Sequence, residues 1–381
     1  MTGPVPDIKD ALRWLENAAG RLDRAANFME VCGTHTMGAF RSGLPSLLPA
    51  NVSLRSGPGC PVCVTAQGEI DALIGLASLP EVTLCTYGDM LRVPGQGGSL
   101  EAQRGQGADV RVVYSAMDAV RLAQKQPHRQ VVLAAVGFET TAPATAVAIE
   151  QAARLELDNF TVMASHKLVV PALHALLAAG DIPLDGLLCP GHVSVVIGGE
   201  SYRPLVETYG IGCVVSGFEP EQMAAGLAEL TRMAADARPA LVNQYPEAVS
   251  PEGNRTAKAL LDRVFEHASA PWRGLGRIED SGLVLRSEYR RFDACKRFGL
   301  IVEDVPEPAG CRCGEVITSR VAPDQCPLFG RACTPTRPIG PCMVSSEGTC
   351  AAWFKYHRPH ASLPVDSSPV PPQHSREAFA T

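Results

Sequence analysis

Thirteen cysteines in 381 residues are the part of this sequence with the clearest capacity for chemistry. In a reducing cell compartment disulfides are rare, so cysteines that occur in groups indicate metal binding or redox chemistry. Four of them stand alone in apolar or mixed stretches, where a cysteine behaves as a small hydrophobic residue: Cys85, Cys189, Cys213 and Cys295. The other nine form an N-terminal and a C-terminal group: Cys32, Cys60 and Cys63, then Cys311, Cys313, Cys326, Cys333, Cys342 and Cys350.

The N-terminal group contains a Cys-x-x-Cys pair, Cys60 and Cys63, in the segment GPGCPVC (57–63). Two thiols at this spacing can form a disulfide across a tight turn, and one of them typically has a lowered pKa. Half of a zinc site is the alternative, but zinc needs two further ligands and none lies near in the sequence. The surrounding glycine and proline residues predict a rigid, exposed turn. We therefore expect redox chemistry at this pair.

The third cysteine of this group, Cys32, lies in the segment EVCGTHT (30–36), three residues before His35. A thiol near a base can act as a nucleophile or as a metal ligand. From this segment alone, however, a buried cysteine beside a hydrogen-bonded histidine is the default interpretation.

The C-terminal group has more thiols than the four that a zinc ion binds, and no histidine accompanies them. Such a set fits an iron–sulfur cluster better than a mixed zinc site, with a four-cysteine zinc site as the alternative. Proline and glycine next to Cys326 and Cys342 suit a loop wrapped around a cluster. After about residue 305 regular periodicity fades, which predicts a small domain held together by a metal centre.

The elements that must position these cysteines alternate between strands and helices from about residue 8 to 300. The pattern predicts strands at 110–114, 130–136, 160–164, 186–188, 193–197 and 212–215, with helices at 117–125, 144–155, 171–179 and 220–235. This alternation predicts an α/β fold with parallel sheets covered by helices and ligand sites at the carboxyl ends of strands. Gly-Phe-Glu at 137–139 and again at 217–219, each between an apolar run and a helix, hints at two related halves.

We predict four regions: an α/β domain at 1–125 with Cys32 and the Cys60/Cys63 pair, a second α/β domain at 126–245, a cluster-binding domain at 246–361 and a disordered tail at 362–381. The tail is rich in proline and serine. His166 and His192 each follow an apolar strand and would point into the cleft of a doubly wound sheet, although either one alone is better explained as a core or surface histidine.

Composition excludes several classes of function. A net charge of -6 gives no electrostatic footprint for nucleic acid. The sequence has no phosphate-binding loop, no HExxH zinc motif and no GxSxG nucleophile motif. No signal peptide or membrane-spanning stretch is recognisable, so we expect a cytoplasmic protein that binds neither nucleic acid nor membrane.

Five segments, taken together, resemble the HypD family of [NiFe]-hydrogenase maturation proteins. They are MEVCGTHT (29–36), LRSGPGCPVC (54–63), GFETTAP (137–143), CPGHVS (189–194) and GPCMVSSEGTC (340–350). The match runs to residue 356 and covers nearly the whole chain. The resemblance implies two related α/β/α domains with parallel sheets and a small C-terminal domain that carries a [4Fe–4S] cluster.

The resemblance also implies a role: a redox-active scaffold, rather than a conventional metabolic enzyme, on which the Fe(CN)₂CO centre is assembled. The implied partners are a small HypC-type chaperone, a HypE-type cyanide donor working with HypF and, indirectly, the hydrogenase large subunit. A freestanding iron–sulfur thiol–disulfide oxidoreductase is the second hypothesis. A zinc-stabilised binding protein without redox activity is the third, and it would be colourless.

On this resemblance we assign roles to individual residues. Cys32 is the soft ligand for the iron of Fe(CN)₂CO, and Cys60 and Cys63 relay electrons as a dithiol/disulfide pair. Thr34, His35 and the turn at 137–143 line the cleft, and the helix start after Thr141 favours anions such as cyanide. The cluster ligands are Cys313, Cys326, Cys333 and Cys350, with Cys311 and Cys342 as alternates.

Overall fold

The computed structural model describes residues 6–357 of the chain. Its strands are β1 (Ala26–Glu30), β2 (Val52–Ser56), β3 (Val82–Thr86), β4 (Asp109–Val112), β5 (Gln130–Gly137), β6 (Phe160–Lys167), β7 (Gly186–Pro190), β8 (Gly212–Ser216), β9 (Leu241–Asn243), β10 (Phe265–Trp272) and β11 (Gly276–Leu285).

Its α-helices are α1 (Ile8–Ala19), α2 (Gly33–Ser42), α3 (Pro61–Val64), α4 (Gln67–Ala77), α5 (Leu100–Gly105), α6 (Ala116–Lys125), α7 (Ala142–Arg154), α8 (Val169–Ala179), α9 (Gly191–Ile197), α10 (Arg203–Tyr209), α11 (Pro220–Asp236), α12 (Arg255–Val264), α13 (Ala294–Arg297), α14 (Cys313–Ile317), α15 (Pro341–Val344) and α16 (Thr349–Tyr356).

The strands form two sheets dominated by parallel pairing. The first sheet has the order β2-β1-β7-β8-β9, and every neighbouring pair in it is parallel. The second has the order β10-β11-β6-β5-β3-β4; its last four strands are parallel, and β10 and β11 pair antiparallel at the other edge. The predicted α/β class is confirmed, and a cysteine-rich C-terminal region follows the sheets as expected.

Strands β5, β7 and β8, in the middle of the two sheets, carry mainly apolar side chains because both of their faces are covered. β7 and β8 are buried at every residue, and β5, with the sequence QVVLAAVG, is buried from Val131 onward. Burial on both faces is the reason that strands of parallel sheets read as continuous apolar runs rather than as alternating ones.

Each sheet has one face against its own helices and one face in a shared core. α1 and α11 pack on the outer face of the first sheet, through residues such as Leu15 and Leu227. α6 and α7 pack on the outer face of the second sheet. The opposite faces of both sheets belong to one large apolar cluster that also contains Cys63, Cys313 and Cys342. The cysteine-bearing segments are therefore part of the core that joins the two sheets.

Strand pairing does not follow the domain boundaries that we predict at residues 125 and 245. In the first sheet β1 and β2 precede residue 125, whereas β7, β8 and β9 follow it. The second sheet combines β3 and β4 with β5 and β6 and takes β10 and β11 from beyond residue 245. The boundaries themselves stay a prediction, and the predicted tail at 362–381 lies outside the described residues.

One predicted element is wrong. The valine-rich segment 193–197, predicted as a strand, is the body of helix α9. β-branched residues favour strands only weakly, and tertiary context overrides that preference. Here the segment connects β7 to β8, which pair parallel, and a parallel pair requires a crossover rather than a hairpin.

In the part of the chain that the structure describes, no helix combines the length and the apolar character needed to span a membrane.

A buried ion pair ties α4 to β6. Lys167 Nζ donates to both carboxylate oxygens of Glu69, at 2.7 and 2.9 Å, and the side chains are only 2% and 7% exposed. Ser165 Oγ also donates to this carboxylate, at 2.8 Å. The pair lies where the turn after Cys63 continues into α4, so it holds that turn against the second sheet.

We predict that Lys167→Met lowers the free energy of unfolding by about 3 to 5 kcal/mol, because it leaves a buried carboxylate without its cation. Arg203→Met is the matched control, since Arg203 pairs with Glu200 at the surface, where an ion pair contributes at most about 1 kcal/mol. Urea denaturation monitored by circular dichroism measures both. Equal losses in the two variants would contradict the structural role of the buried pair.

Candidate functional site

Cys32 lies at the carboxyl end of β1, in the position just before helix α2 begins. Its side chain is 2% exposed. Two contacts fix its backbone: the amide of Cys32 donates to Glu30 Oε2 at 3.0 Å, and the carbonyl accepts from the amide of Thr36 at 3.0 Å. The thiol is therefore held at a strand end of the first sheet, where the fold class predicts a ligand site.

The Cys60 turn lies directly against Cys32 because Gly59 has no side chain. The amide of Gly33 donates to the carbonyl of Gly59 at 3.0 Å. A Cβ atom added at Gly59 would lie 2.1 Å from the amide nitrogen of Cys32, a distance that no packed structure permits. β1 and β2 are adjacent parallel strands, so their carboxyl-end turns lie side by side.

Acidic side chains surround the Cys32 thiol. Burial raises the pKa of Glu30 to about 8, although Thr36 Oγ1 donates to this carboxyl group at 2.5 Å. Burial also raises the pKa of Glu347, whose Oε1 accepts from Thr34 Oγ1 at 2.7 Å. Burial raises the pKa of Cys32 well above its usual value, and the charges of Glu30 and Glu347 raise it further. Without a cation nearby, Cys32 is a neutral thiol.

His192, at the start of α9, is the histidine beside Cys32. Its ring nitrogens lie 3.8 and 3.9 Å from Cys32 Sγ. Burial lowers the pKa of His192, so its ring is neutral at pH 7 and can accept a proton.

The side chain of His35, which we predicted to line the cleft, points to the turn after β8. Its Nε2 donates to the carbonyl of Gly217 at 2.9 Å, and burial lowers the pKa of His35 to about 4. Phe218 lies between the two histidines, with ring centroids 4.9 Å from His35 and 5.0 Å from His192. His35 therefore positions the turn that supports His192. The repeated Gly-Phe-Glu at 217–219 directly follows β8, and the copy at 137–139 begins on the last residue of β5, so the strand-to-helix context predicted for both copies is confirmed.

Cys60 and Cys63 are joined as a disulfide, with Cα atoms 5.2 Å apart across the single turn of α3. The pair is 5% and 0% exposed, so the expectation of an exposed turn is wrong. Glycine and proline at 57–61 serve here to bring the turn close to Cys32 in the core, rather than to keep it at the surface.

A C-terminal loop covers both sulfur sites. Ser345 Oγ lies 3.3 Å from Cys60 Sγ and donates to Asp89 Oδ2 at 3.1 Å. The same Asp89 oxygen accepts from the amide and the hydroxyl of Ser346. The amide of Glu347 donates to Ser345 Oγ at 3.2 Å. Asp89 thus anchors a loop whose Ser345 touches the disulfide and whose Glu347 faces the Cys32 turn.

All six C-terminal cysteines line one small cavity, including the four predicted cluster ligands and both alternates. The thiols of Cys311, Cys313, Cys342 and Cys350 lie close enough to shift one another's pKa. Cys326 and Cys333 complete the wall together with apolar side chains such as Leu328 and Met343. We call this cavity the cysteine pocket.

The donor set of the cysteine pocket fits a polynuclear iron–sulfur group. Soft thiolates are the ligands that iron–sulfur clusters take, and no histidine lies among the lining residues. Six thiols around one cavity also exceed the four ligands that a tetrahedral zinc ion takes.

The turn at 137–143 lies near the end of helix α9, the helix that carries His192. Glu139 Oε1 accepts from the amide of Val169 at 2.9 Å, and burial raises the pKa of Glu139 to about 7. Glu139 lines a cavity of about 390 Å³ together with Val196 and Ile197, the last residues of the helix that carries His192. Helix α7 begins after Thr141 as predicted, and its affinity for anions stays a prediction.

Sequence reasoning missed several residues of this site. Glu30, Asp89, Ser345 and Glu347 were not identified, and His192 was noted only for its place after a strand. Three of them lie inside the quoted motifs MEVCGTHT and GPCMVSSEGTC. The signal that could have found the acidic ones was a charged residue in an apolar or glycine-rich segment next to a cysteine.

Comparison with known proteins points to one family over nearly the whole chain. Residues 7–357 match the HypD family, described as "Hydrogenase formation hypA family". The chain is 49% identical to the hydrogenase expression/formation protein HupD of Azotobacter chroococcum over 342 residues, which are 88% of this chain and 90% of that protein. It is 48% identical, with the same coverage, to the hydrogenase maturation factor HypD of Azotobacter vinelandii. The factor of the same name from Escherichia coli K12 is 45% identical over 337 residues, 88% of this chain and 90% of that one.

We predict that Glu347→Gln lowers the pKa of the Cys32 thiol. The change removes a negative charge beside the thiol but keeps an oxygen that accepts from Thr34. A decrease of one pKa unit raises the thiolate fraction about tenfold at a pH below the pKa. The pH dependence of Cys32 modification by methyl methanethiosulfonate, followed by peptide mass spectrometry, measures the effect.

The control is Glu101→Gln, a change of the same kind at an exposed position on α5. The expected result is a pH profile displaced to lower pH in the first variant and unchanged in the control. Identical profiles in all three proteins would show that Glu347 does not act on the thiol.

Proposed function

The chain belongs to the HypD family of hydrogenase maturation factors, and within that role we propose that it is a redox-active scaffold on which the Fe(CN)₂CO centre is assembled. Iron with its cyanide and CO ligands is the cargo of this reaction, and Cys32 is its ligand on the protein. The [4Fe–4S] cluster that we propose for the cysteine pocket is a resident cofactor, which supplies single electrons when bound.

The observation that carries the proposal is that segment 340–350 contacts three places: the cysteine pocket, the disulfide and the turn that follows Cys32. Two of its residues, Cys342 and Cys350, line the cysteine pocket. Between them, Ser345 touches the Cys60 sulfur, and Glu347 accepts a hydrogen bond from Thr34, two residues after Cys32. One short loop therefore connects the cysteine pocket, the disulfide and the turn of a buried thiol. An assembly site that couples iron binding to redox chemistry requires these three components in contact.

Cys32 is suited to take up cationic iron. A metal binds the thiolate, so binding releases the thiol proton. The neutral ring of His192, 3.8 Å from Cys32 Sγ, is placed to accept that proton. The ionised forms of Glu30 and Glu347 oppose a free thiolate, and a bound cation in turn favours these ionised forms. At this site the Cys32 thiolate is therefore more favourable with a bound metal ion than without one.

The disulfide is placed to change redox state with the pocket. Helix α3, which carries Cys63, contacts both α14 and α15, and these helices carry Cys313 and Cys342. Reduction of Cys60–Cys63 breaks the S–S bond and takes up two electrons and two protons. An external one-electron donor supplies the electrons. Ser345 Oγ, 3.3 Å from Cys60 Sγ, is positioned to hydrogen-bond to the thiol that forms.

Burial of the disulfide favours this relay over a freestanding thiol–disulfide oxidoreductase. Such an enzyme must present a sulfur atom to a protein disulfide for direct attack. Cys60 and Cys63 are 5% and 0% exposed and lie beneath the loop that contains Ser345. Electron transfer inside the protein requires no such access.

The partners that we propose are a small HypC-type chaperone, which works in complex with this protein, and a HypE-type protein, which donates cyanide. Transfer of the finished centre to the hydrogenase large subunit follows. The cavity that Glu139 lines adjoins helix α9, which carries His192, and most of its other lining side chains are apolar.

We predict that the anaerobically purified protein is brown and contains about four irons per chain, as expected for one [4Fe–4S] cluster. Metal analysis and a visible absorption spectrum measure this directly. A colourless protein that contains zinc would contradict the cluster and support the zinc-stabilised alternative.

We further predict that Cys32→Ala abolishes hydrogenase maturation and removes the infrared bands of bound cyanide and CO, while the visible spectrum of the cluster stays unchanged. Cys85→Ala is the matched control, because it removes an equally buried thiol from β3. The assay is hydrogenase activity in a host that lacks its own copy of this protein. Normal maturation in the Cys32 variant would exclude Cys32 as the iron ligand.

A further inference from the structure

Arg273 is a fully buried cation bonded to the segment that follows the disulfide. Its side chain is 0% exposed. The amide of Arg273 donates to the carbonyl of Val64 at 2.9 Å, and Nε donates to the carbonyl of Thr65 at 3.2 Å. Its Nη2 donates to Gln67 Oε1 at 3.2 Å. Three hydrogen bonds thus fix Arg273 to the chain within four residues of Cys63.

The other side of Arg273 meets the helix of the cysteine pocket. A Cβ atom on the next residue, Gly274, would lie 2.3 Å from the carbonyl oxygen of Gly314, so the two backbones are in direct contact. Gly314 follows Cys313, and its amide donates to Glu307 Oε2 at 3.1 Å. That carboxylate lies 3.6 Å from Arg273 Nη1. The positive charge of the guanidinium favours the thiolate form of Cys313.

The charge of Arg273 is incompletely balanced by the chain. Among residues 6–357 its Nη1 has no hydrogen-bond partner, and Glu307, which is 29% exposed, is its ion-pair partner at 3.6 Å. A buried ion costs several kcal/mol unless opposite charge and hydrogen bonds compensate it. The carbonyls of Val64 and Thr65 require only neutral donors, so holding the turn does not by itself explain a cation here.

A thiolate-bound cluster supplies the missing negative charge. Its ligands are deprotonated cysteines, and one-electron reduction adds a further negative charge to the pocket. At a buried site the screening by water is weak, so a fixed positive charge nearby stabilises the reduced form more than the oxidised form.

We propose that Arg273 is the positioning residue that sets the reduction potential of the cluster in the cysteine pocket. Arg273 also holds the disulfide turn against that pocket. The reaction concerned is the addition of one electron from an external low-potential donor, without a proton and without a change in covalent bonds. Arg273 makes this reduction easier. The inference rests on the proposed function, because it requires a cluster in the pocket.

The test is a redox titration with dithionite, monitored by visible absorbance and electron paramagnetic resonance, on the native protein and on variants. Arg273→Met should decrease the equilibrium constant for cluster reduction at least tenfold, a shift of about 59 mV to more negative potential for a one-electron couple. Arg273→Lys keeps the charge and should stay close to the native potential. Iron content and circular dichroism verify that each variant is folded and loaded.

Glu307→Gln provides the opposite test and leaves Arg273 in place. The amide oxygen of the new side chain would still accept from the Gly314 amide, but the counter-charge of Arg273 would be gone, so the potential should become more positive. This variant decides the question if Arg273→Met does not fold. Arg331→Met is the control: it removes an equal charge two residues before Cys333, at an exposed position where water screens it, and should shift the potential little.

The different failures are distinguishable. A native protein without a reducible cluster would overturn the proposed function and, with it, the role of Arg273. A native protein with a reducible cluster, but with unchanged potentials in the Arg273→Met and Glu307→Gln variants, would leave the proposed function intact and overturn this inference. Equal shifts in Arg273→Met and Arg331→Met would also overturn it, because they would show a general effect of net charge.

Discussion

Contact between two neighbouring strand-end turns is the constraint on which the site depends. The turn at 57–59 donates from Gly57 to the carbonyl of Glu30 at 2.7 Å and accepts at Gly59 from the amide of Gly33 at 3.0 Å. Parallel pairing of β1 with β2 brings the two turns to the same edge of the sheet. The missing side chain at Gly59 then allows the backbones to touch. As a result Cys32 and Cys60 occupy adjacent turns, close enough for one loop to cover both.

The raised pKa values around Cys32 are a consequence of this close packing. Exclusion of water raises the pKa values of Glu30 and Cys32, because burial disfavours their charged forms. These groups and Glu347 together make a pocket of acids in which a lone thiolate is unfavourable. In the proposed function a bound cation reverses this balance, since it lowers the energy of every neighbouring anion at once.

The sequence was informative where chemistry depends on local spacing. The Cys-x-x-Cys pair, the division of the cysteines into two groups and the strand–helix alternation all appear in the structure. Information was lost wherever distant segments meet. Membership of the sheets is one case, because β1 and β2 join β7 to β9 from far along the chain. The burial of the disulfide is another, since glycine and proline mark a close backbone approach as readily as a surface turn. Segment 193–197 was misread because its valines are a local signal, while its helix is imposed by the crossover between β7 and β8.

Burial alone does not separate the reactive cysteines from the inert ones. Cys32, Cys63, Cys189 and Cys213 are all 2% exposed or less. Cys189 and Cys213 lie on adjacent strands of the first sheet, where burial raises the pKa of Cys189 and the neighbouring Cys213 thiol raises it further. Cys32 has a histidine 160 positions away in the chain, and the Thr34 beside it binds a carboxylate 313 positions away. Polar groups brought from such distances into a dry core cost stability and are retained where they serve chemistry. The identity of its polar neighbours, rather than its depth, therefore distinguishes Cys32 from the other buried thiols. Those neighbours depend on the fold of the whole chain, and the spacing of the cysteines alone does not reveal them.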